Sequence, residues 1–280
     1  MNLMYFADTR GRILTEMSCV RHDEDSFTLI TAATAQWHDF ELLRARLPEG
    51  LSLTDHSTEF GTLIVTGPQS RALFEDIGTE ADLSLQWLSH QSATVAGQPC
   101  SLARVSFAGE LGWEVHATNA ALPAIYEAII AAGAKPFGMW ALNSLRLEKG
   151  YRAWKGDLST DYSLFEGGLE RFVKLDKPGG FIGQEALQKI KAEGTKHTLV
   201  GFEVEGRRAA RQGMAISRGG EHVGHVTSGC LSPTLDKVIA MGYVPTELSA
   251  EGTEFEIDLG KMRTGAKIVK MPFYNPVRAK

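Results

Sequence analysis

Two acidic side chains sit where hydrophobic patterning predicts β-strands. Glu114 lies between Trp113 and Val115 in SFAGELGWEVHA, and Glu16 lies in RGRILTEMSC. Period-two geometry puts Trp113 and Val115 on one face of a strand and Glu114 with His116 on the other. A carboxylate in such a run either faces water or accepts a fork of two N–H donors from a ligand. Two charge-assisted hydrogen bonds of ~1.5–3 kcal/mol each would fix the orientation of a planar ring. The pattern alone leaves both readings open for Glu114, and places Glu16 at an edge or surface. Arg207, Arg208 and Arg211 cluster in GRRAARQGM, either as a solvated turn or as a site for the carboxylates of an acidic ligand. His222 and His225 form an HxxH, but an offset of three puts strand side chains on opposite faces, so no metal site is expected.

The elements that position these groups belong to a chain of 280 residues, long enough for two or three domains. Hydrophobic residues make up 43% and charged residues 22%, an ordinary globular balance. The formal net charge is -5 and no long basic run occurs, which excludes nucleic acid as an expected partner. Cys19, Cys100 and Cys230 lie far apart with no CxxC, so neither a zinc knuckle nor a disulfide framework is predicted. MNLMYFADTRGR lacks the pattern of a secretory signal, and ALPAIYEAIIAAGA is broken by Pro123 and Glu127. These features predict a cytoplasmic or matrix location and no membrane span. A Walker loop, a GxGxxG and a GxSxG elbow are absent, which argues against nucleotide-dependent and serine-hydrolase chemistry.

RILTEMSCV and SFTLITAA read as a hairpin around a polar turn, followed by a helix over 36–47. GTLIVTG, a helix carrying Leu73, Phe74 and Ile77, the strands CSLARVSF and GWEVHA, and a helix capped by Gly133 predict a small α+β sandwich. Helices are expected over 138–148 and 184–192. From His197 the chain alternates as a small β barrel or sandwich, with a turn at Gly260-Lys261.

Three blocks together resemble the aminomethyltransferase (glycine-cleavage T-protein) family. They are SFAGELGWEVHA, NSLRLEKGYRAWKGDLSTDYSLFEGGLERFVKLDKPGGFIGQEAL and HVTSGCLSPTLDKVIAMGYV. SLRLEKGYRAW and VKLDK…FIGQEAL are most similar to the tetrahydrofolate domain of dimethylglycine and sarcosine dehydrogenases. The resemblance implies an α+β, three-domain cloverleaf with tetrahydrofolate in a central channel. Its parts would be a truncated first domain (1–48 plus 136–193), a ferredoxin-like α+β domain (49–135) and a C-terminal β barrel or sandwich (197–280).

The resemblance also implies a reaction, in which an amine-bound one-carbon unit passes to tetrahydrofolate to give 5,10-methylenetetrahydrofolate. On the family pattern Glu114 reads the pterin, and Glu16 is the acidic residue near the folate nitrogens that transfer requires. Position and residue type add Phe107 and Trp113 beside the pterin, Tyr151 and Trp154 in an adjacent loop, and Arg211 toward the glutamate tail.

This chain departs from the family at three points. Glu16 stands for the usual Asp, a shift of about 1 Å in carboxylate placement. Phe107 stands for the usual Tyr. The chain also begins inside the family's first domain, which implies a flavoprotein or other chain covering that edge, as in a split N-demethylase acting on a methylated amine or iminium. The alternative is a non-catalytic folate-binding protein, degenerate or of the iron–sulfur assembly type. The latter carries K-G-C-Y-x-G-Q-E, where this chain has Gly180 and Phe181 in PGGFIGQE.

Overall fold

The structure, a computed structural model, describes residues 1–260 and 262–275. It opens with a strand that the sequence reading lacks. β1 (Asn2–Ala7) precedes β2 (Ile13–Arg21) and β3 (Phe27–Ile30), in a three-stranded sheet of that order. The chain clusters into two compact units. One holds Met1–Leu3 and Met17–Gly138, the other Met4–Glu16 and Met139–Asn275, so the division falls inside both β1 and β2.

In the first unit the predicted hairpin forms, with Arg21 opposite Phe27 and Ser18 opposite Ile30. Helix α1 (Gln36–Arg44) follows, then β4 (Phe60–Thr66), α2 (Ser70–Asp76), β5 (His90–Val95), β6 (Gln98–Ala103), β7 (Gly112–Thr118) and α3 (Leu122–Ala131). The four strands form an antiparallel sheet in the order β4-β7-β6-β5. The α+β class expected here is found, with one strand more than the hydrophobic runs predict. HQSATV, which becomes β5, has too few apolar residues to announce itself. Alternate residues of the strands (Val65, Val95, Leu102, Trp113, Val115) close a core against Phe74 of α2 and Ile125 and Ile129 of α3. Full burial is worth roughly 1.5–3 kcal/mol for each large side chain. The strand expected over CSLARVSF stops at Ala103. Beyond it Arg104 turns inward, donates to the Gly112 carbonyl at 3.1 Å, and lies 5.2 Å over the Trp113 ring. Gly112 permits this crossing, since a Cβ there would meet the Ser106 Cβ at 2.7 Å.

The second unit carries α4 (Met139–Glu148) and α5 (Gln184–Glu193). Six strands then close a barrel: β8 (His197–Val204), β9 (Ala215–Arg218), β10 (Glu221–Ser232), β11 (Lys237–Pro245), β12 (Glu254–Asp258) and β13 (Arg263–Val269), in the order β10-β11-β8-β13-β12-β9. The barrel, rather than the sandwich, is therefore the C-terminal architecture. Its interior is Phe202, Ile216, Val226, Ala240, Ile257 and Ile268, all at most 3% exposed. The alternation over 254–259 is obeyed, with Phe255, Ile257 and Leu259 buried and Glu254 and Glu256 exposed. The turn expected at Gly260-Lys261 includes Lys261, which lies outside the described residues. Among the described residues no helix is long and apolar enough to cross a membrane.

Candidate functional site

Glu114 occupies the middle of β7, and its neighbours obey the predicted alternation. Trp113 and Val115 are fully buried in the core of the first unit, while Glu114 and His116 share the opposite face. The two side chains are 19% and 16% exposed, so the carboxylate is neither fully solvated nor sealed. Its Oε2 lies 3.2 Å from His116 Nε2. His116 Nδ1 lies 2.9 Å from the Thr62 hydroxyl on β4, directly across the ladder. A carboxylate has about four lone-pair sites. One contact from His116 leaves ample capacity for a paired N–H donor.

Of the other residues expected near Glu114, Phe107 is half-buried in the turn before β7. Trp113 points the other way. It packs edge-on against Phe74 at 5.9 Å between ring centres, beneath the Arg104 guanidinium. Its surroundings are those of a core residue, because period two forbids neighbours in a strand from sharing a face.

The second unit builds its own cluster around Glu16, the last residue of that unit's β2 segment. The edge or surface placement read from RGRILTEMSC alone does not hold, since Glu16 is largely buried. Burial, reinforced by the nearby Asp157 charge, raises its carboxyl from 4.5 to about 7, against the Tyr5 hydroxyl, which donates to it and pulls the value down. Tyr5 itself is pushed upward by burial and by Glu16. The Tyr5 ring packs on Phe172 at 5.0 Å. A carboxyl that titrates near neutrality is suited to taking and returning a proton.

Asp157, which is fully buried, anchors the loop beside this pair. Its Oδ2 accepts from Arg146 Nη1 at 2.5 Å and from the Ala153 amide at 2.9 Å, and its Oδ1 accepts from the Thr227 hydroxyl at 2.5 Å. Arg146 also donates to the Tyr151 carbonyl (3.0 Å) and the Ser228 hydroxyl (2.8 Å). Arg152 donates to the carbonyls of Gly150, Gly167 and Gly168, and burial lowers its pKa. Gly168 has a left-handed φ of 67°, and a Cβ there would sit 2.6 Å from Arg152 Nη2.

Tyr151 and Trp154 are thus held on a loop tied down at both ends. Trp154 packs on the same apolar cluster as Tyr5 and Phe172. Its indole Nε1 is buried with no acceptor among the described residues. The Tyr151 carbonyl is linked through Arg146 to Asp157, and Trp154 through the apolar cluster to Tyr5, the two residues that act on Glu16. Arg211 stands apart on the exposed turn after β8, with Arg207 and Arg208 beside it, and Arg207 pairs with Asp236 at 2.8 Å. His222 is exposed while His225 packs near Tyr162 and Tyr243.

Sequence reasoning missed Tyr5, Arg146, Arg152 and Asp157. The two arginines stood inside SLRLEKGYRAW, but an arginine on an amphipathic helix (Arg146) or in the loop after it (Arg152) reads as solvated until its buried partner is known. An open groove of about 880 Å³ lies on the outside of the barrel, beside Glu203, Glu205, Glu251 and Glu254. It is lined by none of the predicted site residues.

Comparison with known proteins adds lineage to this geometry. The profile of the GCVT N-terminal domain matches residues 1–177, and that of the glycine cleavage T-protein C-terminal barrel domain matches 197–275. The mitochondrial dimethylglycine dehydrogenase of Mus musculus is 34% identical, over 100% of this chain and 34% of that protein. An aminomethyltransferase of Picosynechococcus is 35% identical, over 90% of this chain and 70% of the relative. The crystal structure of the glycine cleavage system aminomethyltransferase T from Bartonella henselae superposes with a TM-score of 0.87 at 26% identity, covering 98% of this chain and 76% of that one. The chain spans about a third of the length of the dimethylglycine dehydrogenases it matches. It belongs to the glycine-cleavage T-protein, or aminomethyltransferase, family.

Proposed function

We propose that this chain is a tetrahydrofolate-dependent one-carbon transferase. It would capture a carbon from a methylated amine, presented as its iminium, and yield 5,10-methylenetetrahydrofolate. The observation that carries the reading is the Glu16 carboxyl, half-buried, bonded to Tyr5 and titrating at about 7. The residues present suit the cofactor. Glu114 offers two partly shielded oxygens to the ring amide and exocyclic amine of a pterin. Tetrahydrofolate supplies nucleophilic amine nitrogens that take up the carbon.

The chain's own contributions follow from its groups. Glu114 would accept the paired N–H bonds and set the ring orientation. Glu16 would take up the proton that must leave a folate nitrogen and hold it on a carboxyl oxygen, with Tyr5 fixing the plane of that carboxyl. Tyr151 and Phe107 would supply aromatic faces, and Arg211 an exposed guanidinium for the carboxylates of the tail. Trp113, packed in the core, would support Glu114 through the strand rather than touch the ligand. We assign the first domain to 1–48 with 136–193, the second to 49–135 and the barrel to 197–280.

The iminium would come from a flavin-dependent amine oxidation carried by another domain or chain, in keeping with the dehydrogenase relatives. The test is an assay of methylenetetrahydrofolate formed when an N-methyl amine is oxidised in the presence of this chain. Glu16→Gln should slow formation by about 10²-fold or more, the range of a lost general acid–base. An unchanged rate in Glu16→Gln would remove Glu16 from the proton transfer, and folate binding with no product from the wild type would favour a binding-only protein.

A further inference from the structure

His116 lies two residues beyond Glu114 on the same face of β7, and its two ring nitrogens have different neighbours. Nε2 is 3.2 Å from Glu114 Oε2, while Nδ1 is 2.9 Å from the Thr62 hydroxyl. Nε2 is buried and makes no hydrogen bond among the described residues, so its approach to the carboxylate oxygen is a close electrostatic contact and not a formed hydrogen bond. A neutral imidazole carries one N–H. If that proton sat on Nδ1, the lone pair of Nε2 would face a carboxylate oxygen, which is repulsive. The arrangement is attractive when Nε2 carries the proton and Nδ1 accepts from the Thr62 hydroxyl. A hydrogen bond at one nitrogen therefore selects the tautomer that serves the other.

Resting on the reading of Glu114 as the pterin carboxylate, we propose that His116 is a positioning residue for it. Thr62 donates to His116 Nδ1, and His116 Nε2–H holds Glu114 Oε2, so the carboxylate plane is set before a ligand arrives. A free glutamate has three side-chain torsions and loses that freedom on binding. A carboxylate already tethered through one oxygen loses less, and its remaining lone pairs still receive the N–H fork. Thr62 on β4 and Glu114 and His116 on β7 are joined by a continuous antiparallel ladder, which keeps the relay rigid.

The test uses two isosteric probes in the full chain. The amide nitrogen of Gln reaches the place of Nε2, whereas that of Asn reaches only the place of Nδ1. Tetrahydrofolate affinity by calorimetry should fall about tenfold in His116→Asn and stay within about threefold of wild type in His116→Gln. Turnover at saturating tetrahydrofolate should be unchanged in both, because His116 acts on binding. Nitrogen NMR of the wild type at pH 8 should show His116 as the Nε2–H tautomer. Equal losses in the two variants, no loss in His116→Asn, or an Nδ1–H tautomer would overturn the proposal. Glu114→Gln separates this from the parent reading. If Glu114→Gln leaves affinity intact, the pterin assignment fails and the proposal with it. If it loses affinity while His116→Asn does not, the role of His116 alone falls.

Discussion

The Tyr5 hydroxyl on β1 donates a hydrogen bond to the Glu16 carboxyl on β2, and this pair is largely buried. Burial and Asp157 push Glu16 toward its protonated form, and Tyr5 pulls it back. The balance at about 7 makes the carboxyl responsive to both its environment and its partner.

The linkage of Glu16 to stability has a definite sign. Unfolded, it titrates near 4.5; folded, at about 7. Between those values the native chain holds a proton that the unfolded chain has released. Its contribution is therefore fully present below pH 4.5, declines as pH rises, and is lost above 7. Glu16→Gln removes this dependence. Denaturant titrations should show the variant gaining on wild type by up to about 3 kcal/mol between pH 4.5 and 8. A difference independent of pH would mean that Glu16 is not titrating in this window.

Tyr5→Phe keeps the ring on Phe172 and removes the donor. The Glu16 midpoint should move above 7, followed by the carboxyl carbon shift in NMR or by the acid limb of the rate profile. A midpoint that stays or falls would show that Tyr5 is not stabilising the carboxylate.

Asp157→Ala strips the partner from a buried arginine and frees the loop carrying Tyr151 and Trp154. Removing one member of such a pair typically costs ~3–5 kcal/mol, read as a lowered denaturant midpoint. A loss under about 1 kcal/mol would contradict the network as described.

Trp113→Phe should destabilise the first unit by ~1–3 kcal/mol and leave tetrahydrofolate affinity within about twofold, since Trp113 faces the core. A large affinity loss without loss of stability would place that indole against the ligand.

Much of this was legible in the sequence, because period two survives wherever one face is buried. Trp113, Glu114, Val115 and His116 took the faces that alternation assigns. Phe255, Ile257 and Leu259 did so as well. What escaped depends on partners distant along the chain. Glu16 and Tyr5 meet across a strand pair, and nothing in RGRILTEMSC announces a hydroxyl eleven residues earlier. Arg146 and Asp157 are each polar by type, and only their meeting with Thr227 and Ser228 of β10 explains their burial. Strand β5 was missed because its sheet neighbours, rather than its own apolar content, hold it in place. Arg211 remains where its sequence suggested, on a solvated turn, and its link to a ligand tail rests on position and residue type.

Calorimetry of tetrahydrofolate with wild type and Glu114→Ala, each confirmed folded by thermal denaturation, tests the pterin role of Glu114 most directly. We expect tight one-to-one binding by wild type and a loss of at least about 100-fold in the variant, the cost of two charge-assisted bonds. Equal affinity in the two proteins would contradict the assignment of Glu114 and the functional reading built on it.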